Sequence, residues 1–252
     1  MKGMIRTVWV LMLVFFISVI AHIPASFLLH NMPEVRGLVA EGVQGSLWHG
    51  SLQNLSWQGE RFGQVQWDFQ PGQLWLGKVE FAVQFGRNSE LKLQGKGRLG
   101  TDLKGFYSRQ VQVSAPATHV LQKAEWLFPV DVSGQLELTM AEYRYDRPWC
   151  ESATGMLIWS DSELVSPLGT LTPGTFIADM TCQQNQIELS GSQNNRQLSA
   201  AFTAILNPDR KYTLEAWFKP GGAFPSSLLA QLTRLGTPDH QGRYPLVYSG
   251  RL

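Results

Sequence analysis

Five histidines, two cysteines and one glycine run are the residues of this chain whose types and spacing could do chemistry. Of the histidines, His22, His30, His49, His119 and His240, the first two lie in or beside an apolar N-terminal run. None pairs at i and i+4 with a carboxylate to complete a metal or hydrolytic set, so they read as surface or interfacial side chains. No Gly-x-Ser-x-Gly elbow is present. Gly95-Lys96-Gly97-Arg98-Leu99-Gly100 has the spacing of a dinucleotide fingerprint, which needs a helix N-terminus right after the turn to receive a pyrophosphate. Here the run follows an alternation of Leu91 and Leu93 and leads into further β pattern, so chance in a chain of 24 glycines is the better reading. Asp146-Arg147 beside Cys150, and Asp161 with Glu163, read as solvated turns rather than acid-base pairs. No catalytic residue, cofactor site or metal site follows, and the expectation is a protein that is not an enzyme.

Cys150 and Cys182 lack a Cys-x-x-Cys spacing and nearby histidines, which argues against zinc. In a reducing cytosol they would be two buried thiols. In an oxidising compartment they would be one disulfide, closing a loop of about thirty residues and adding roughly 3–4 kcal/mol in the chain-entropy view. The N-terminus decides the compartment. Lys2 and Arg6 precede an apolar run that extends, less purely toward its end, over residues 7–29. About 20 mainly apolar residues are needed to span a bilayer. A cleaved signal peptide would need small residues at both −3 and −1, and the pairs Ile23/Ala25, Ala21/Ile23 and Pro24/Ser26 each fail. The run therefore reads as an uncleaved transmembrane anchor, with residues 1–6 in the cytoplasm and residues 30–252 outside it. That placement favours the disulfide.

The rest of the chain has a period of two. Val79, Phe81, Val83 and Phe85 alternate with polar or small residues, as do Val65, Trp67 and Phe69, and Tyr212, Leu214, Ala216 and Phe218. Successive side chains of a strand point to opposite faces, so this pattern buries one face and wets the other. Turn residues punctuate the runs at Gln70-Pro71-Gly72, Thr172-Pro173-Gly174, Asn207-Pro208-Asp209 and Lys219-Pro220-Gly221-Gly222. The expected fold is mainly β: one antiparallel domain after the anchor, with short helices at 116–123 and 226–235 and a last strand at 244–252. Glycines recur before strand residues, as in Gly45-Ser46-Leu47 and Gly134-Gln135-Leu136, without a fixed period. Such glycines let a sheet bend strongly, into a groove or partial barrel. Trp48, Trp57, Trp67 and Trp75 concentrate in the first third and read as packing of large amphipathic rings rather than a carbohydrate platform. Charged residues are only 16% and the net charge is +1, without a basic cluster, which argues against nucleic acid.

One segment is more specific. Glu41-Gly42-Val43-Gln44-Gly45-Ser46-Leu47-Trp48-His49-Gly50 follows the anchor and precedes a Trp- and Gly-rich β region. With the two cysteines in the second half and the closing Tyr-Pro-Leu-Val-Tyr-Ser-Gly-Arg-Leu, this arrangement resembles the N subunit of the bacterial type II secretion system, the general secretion pathway protein N family. The resemblance implies a single-pass inner-membrane protein of Gram-negative bacteria. It implies an accessory role in moving folded periplasmic proteins across the outer membrane, with energy supplied by a separate cytoplasmic ATPase. It also implies kinship with AsmA-like envelope proteins, whose curved sheets form lipid grooves. The expected role is a scaffold or adaptor contacting the inner-membrane platform and periplasmic domains of other secretion subunits. The alternative is a lipid-handling β-groove protein of envelope biogenesis. The candidate partner or groove surface is Leu47 and Trp48 with Val79, Phe81, Val83 and Phe85.

Overall fold

Strands that alternate apolar and polar residues bury little unless they pair, and here nearly every strand pairs with the next one in the chain. The structure is a computed structural model describing residues 2–27, 36–121, 130–232 and 236–251. Its strands are β1 (Leu38–Glu41), β2 (Gln44–Gly45), β3 (His49–Trp57), β4 (Glu60–Phe69), β5 (Val79–Arg87), β6 (Gln94–Asp102) and β7 (Gly105–Pro116). They continue as β8 (Asp131–Arg144), β9 (Ser152–Ser166), β10 (Gly169–Gln183), β11 (Gln186–Asn194), β12 (Leu198–Leu206), β13 (Lys211–Pro220) and β14 (Tyr244–Arg251). All fourteen form one antiparallel sheet, and from β3 onward spatial order is chain order. β1 and β2 both lie against β3 in one register, with Glu41 opposite Asn54 and Gln44 opposite Ser51, so they form a single edge interrupted at 42–43. The other edge is β14, and among the described residues the two edges do not meet.

Fourteen strands are more than a twisted sheet carries flat, so the sheet must coil. Bulges supply the bends: the register shifts between β3 and β4, between β8 and β9, and between β9 and β10. Two of these places require glycine. Gly63 and Gly134 have φ of +80° and +111°, and a Cβ would stand 2.4 Å from the Arg87 carbonyl oxygen and 2.5 Å from that of Ser160. The expectation of a mainly β, antiparallel domain is met, as an open sheet of fourteen strands.

The sheet has little packed over it. The accessible surface is 17404 Å², against about 11,200 Å² for a closed globule of 28.2 kDa. Buried apolar residues are mostly small or lie at sheet ends: Ala115, Ala117 and Val132 beside the helix α2 (Ala117–Leu121), and Cys150, Ala153 and Cys182 beneath Tyr143, Trp149 and Ile187. The second expected helix is reduced to α3 (Ser226–Leu229), whose Leu229 is half exposed; so short a helix has no buried face to hold it, and residues 233–235 lie outside the described residues.

The N-terminal helix α1 spans Lys2–Ala21. Its apolar side chains over 8–16 are all half or more exposed. Among the described residues no helix is long and apolar enough to cross a membrane. The run expected over 7–29 is interrupted because Pro24 holds Ile23 out of helical geometry, and residues 28 and 29 lie outside the described residues. After α1 the chain turns straight onto the sheet. The Leu47 N–H donates to the Ile23 carbonyl at 2.9 Å, and Pro24 bridges to Ser46.

Candidate interaction surface

Paired residues of neighbouring strands point the same way, so the register reads out each face. One row starts Leu52, Val65, Phe85, Gly95, Val113, Leu138 and continues through Leu157, Ala178, Gly191, Phe202 and Ala216 to Leu246, apolar or glycine at every step from β3 to β14. The adjacent row on the other face starts Ser51, Gln66, Gln84, Lys96, Gln112 and Thr139, passes through Met156 and Asp179, and ends Ser190, Thr203, Glu215, Val247, polar at all but Met156 and Val247. The apolar face holds a hollow of about 670 Å³ lined by Val79, Phe81, Leu99, Phe106, Tyr143 and Tyr145. The polar row borders a second, of about 700 Å³, at Gln66, Gln84, Lys96 and Gln112.

The residues singled out from the sequence fall into two neighbouring groups. Val79, Phe81, Val83 and Phe85 all lie on the apolar face of β5, and the first two line its hollow. Trp48 packs on Phe69 at 4.7 Å between centroids, and Phe69 on Phe81 at 5.4 Å, so one aromatic chain joins the two groups. Leu47 and Trp48 are half-buried in the turn between β2 and β3. That turn is tied from both sides: Trp67 Nε1 donates to the Leu47 carbonyl at 3.1 Å, and the Phe69 N–H to that of Trp48 at 2.7 Å. Its lone unusual feature is that it also receives the chain from α1. The four early tryptophans divide: Trp48 and Trp67 pack within the sheet, whereas Trp57 is 47% and Trp75 93% exposed.

Glu80 was not legible as a site residue, because it occupies the polar phase of β5. It is nevertheless completely buried, held by Arg109, by the Tyr107 hydroxyl at 3.0 Å and by Arg98 at 3.6 Å. Gly100 opposite it leaves room for the Tyr107 ring, where a Cβ would come within 2.6 Å of the ring. Arg109, Arg144 and Lys78 each stand over that ring at 5.5–5.6 Å. Arg144 grips Asp102 with two hydrogen bonds of 3.0 and 2.9 Å, and with the Lys104 N–H this holds the Asp102 carboxyl down to about 2. Burial and then the bond to Glu80 push the Tyr107 hydroxyl up, and the Glu80 carboxylate raises Arg109 further. Every acid in this cluster faces a cation, so it locks strands β5 to β8 together rather than presenting a base to a substrate.

The cysteines form a disulfide, with Cα atoms 6.4 Å apart, joining the end of the 145–151 connection between β8 and β9 to the end of β10. The glycines at 95, 97 and 100 lie inside β6, where a Cβ at Gly95 would stand 2.3 Å from Phe85; packing, not phosphate binding, accounts for their spacing. His49 pairs with exposed Asp68. Among the described residues no group of three or more His, Cys, Asp or Glu could hold a metal ion.

Residues 36–247 match the family model described as type II secretion system (T2SS), protein N. The chain is 40% identical to the type II secretion system protein N of Vibrio cholerae serotype O1 over 235 residues, 93% of each chain. It is 31% identical to the protein of that name from Aeromonas hydrophila over 233 residues, 91% of each. To that of Pectobacterium carotovorum subsp. carotovorum it is 27% identical over 258 residues, covering 100% of this chain and 99% of the relative. No solved structure matches. With the family model over 36–247 and these relatives along nearly its whole length, the chain belongs to the type II secretion system protein N family.

Proposed function

We propose that this chain is a non-catalytic accessory part of the type II secretion machine. In this reading α1 anchors it in the inner membrane with the N-terminus in the cytoplasm, and the sheet works in the periplasm as a scaffold or adaptor. Lys2 and Arg6 ahead of the apolar run support that orientation. The Cys150–Cys182 disulfide suits an oxidising compartment.

One observation carries the adaptor role. β14 is an edge strand, and Leu246, Val247 and Tyr248 on it are 47%, 76% and 62% exposed. Val247 also breaks the polar row that it ends. An open, apolar edge offers unpaired N–H and C=O groups and side chains for strand addition by a partner. The partner is a periplasmic or platform segment of another secretion subunit, with Leu47, Trp48 and the apolar side of β5 as a second contact. A photo-crosslinking residue at Val247 in secreting cells tests this. Adducts with another secretion subunit are expected there, and not from Thr213 inside the sheet on β13. Secreting cells without any Val247 adduct would contradict the proposal.

A second reading has its own support. The apolar row across twelve strands and the hollow at Phe81 and Leu99 suit acyl chains, as a lipid-handling groove would require. Lipid extracted from the purified protein, and lost when Phe81 and Leu99 become Ser, would favour it.

A further inference from the structure

The sheet receives α1 at one end, and two of the turns at that end are unlike the others. Ile23 and Pro24 dock at Leu47 and Ser46, beside the 3₁₀ turn Pro71–Leu76 that joins β4 to β5. Val79 pairs with Thr101, so the turn at 103–104 between β6 and β7 stands at the same end. Both turns hold apolar side chains out to solvent: Trp75 is 93% exposed, Leu103 102%, and Leu76 and Phe106 68% each. Single exposed apolar residues are ordinary. Consecutive Leu74-Trp75-Leu76 next to Leu103 and Phe106, with nothing of the described chain over them, are a patch.

The helix says what covers that patch. The apolar stretch at 7–21 rises only about 22 Å at 1.5 Å per residue, against roughly 30 Å of hydrocarbon. A span too short for its bilayer draws adjoining groups into the interface or thins the lipid. Two residues after α1 the chain is already paired to the sheet, so this end of the sheet cannot stand far from the membrane surface. Lys104 is exposed in the second turn, placed for a lipid phosphate, while Lys78 after the first stands over the Tyr107 ring. The acids nearby are engaged, Asp68 by His49 and Asp102 by Arg144.

We propose that the turns carrying Trp75 and Leu103 rest in the headgroup and upper acyl region of the bilayer beside α1. This inference rests on the anchor reading of that helix. The pad fixes the sheet upright, with its strands running away from the membrane and the β14 edge held at a set angle to it. Tryptophan and leucine at the boundary, with lysine above them, are the chemistry of an interfacial contact.

The test uses the full-length chain in phosphatidylethanolamine–phosphatidylglycerol vesicles. A polarity-sensitive fluorophore is placed, one position at a time, through Phe15→Cys, Trp75→Cys, Leu103→Cys and Arg196→Cys, the last on the β11–β12 turn at the opposite end of the sheet, and quenched by lipids spin-labelled near the headgroup or deep in the chain. The labels at 75 and 103 should be quenched by the shallow lipid at least about threefold more than the label at 196, and the label at 15 by the deep lipid. Quenching at 15 with positions 75 and 103 no better than 196 would overturn the pad and leave the anchor standing. Quenching at 75 and 103 without 15 would keep the lipid contact and remove the anchor. Quenching nowhere would overturn both.

Discussion

The connections at the helix-side end of the sheet come in two kinds. Before residue 110 two of them hold apolar side chains out: Leu74, Trp75, Leu76, Leu103 and Phe106 face solvent. From 145 onward they are polar and cross-linked. Asn185 accepts from the Trp149 and Cys150 N–H groups at 3.2 and 3.1 Å and donates to Asp146, Trp149 Nε1 donates to the Asn207 carbonyl, and the Cys150–Cys182 disulfide lies beneath them. One end of one sheet thus carries both a structural clasp and a set of apolar side chains that the described chain does not bury. The difference places the loop-to-loop cross-links in the second half and the exposed apolar turns in the first.

Four variants press on that contrast. Cys150→Ala with Cys182→Ala should lower stability by roughly 3–4 kcal/mol, read from denaturant unfolding of the detergent-solubilised chain under oxidising conditions. Reduction of the native protein should give the same shift; no shift would place the clasp elsewhere. Glu80→Gln should cost about 2 kcal/mol, since Arg109 and Arg98 lose their anion while half screened by solvent. Asp102→Asn sharpens the electrostatic part. The Asp102 carboxyl lies near 2 in the folded chain and near 4 unfolded, so its contribution is complete above about pH 4 and lost as pH falls through about 2. The gap between wild type and Asp102→Asn should therefore be full at neutral pH and close on acidification; a gap that widens in acid would refute the assignment. Trp75→Ser with Leu103→Ser should have the smallest effect, within about 0.5 kcal/mol of wild-type stability in detergent. A larger loss would mean that these side chains serve the fold after all.

Much of the sheet is legible in the sequence because period two survives along β4, β5 and β13, and the apolar phase of each strand does face the row that runs from Leu52 to Leu246. What escapes is whatever depends on how strands meet. Glu80 sits in a wet phase between Val79 and Phe81, and nothing local signals that Tyr107 and Arg109 from β7 will close over it. Trp75 carries the same letter as Trp67, and only the turn geometry at 71–76 sends one to solvent and the other against Leu47. The anchor reading extended to residue 29 on composition, whereas the helical geometry is interrupted at Ile23 and Pro24, where the chain meets Ser46 and Leu47. The two candidate groups, Leu47 with Trp48 and the apolar face of β5, were separate in the sequence. Phe69 joins them in space, a link that depends on the pairing of β4 with β5.

A part of the secretion machine and a lipid-handling protein differ in what their loss does to the cell. Deleting the gene in its own host, and measuring where a normally secreted enzyme accumulates while scoring detergent sensitivity, separates the two. Enzyme held in the periplasm behind an intact outer membrane is the expected result; normal secretion with detergent-sensitive cells would overturn the secretion role.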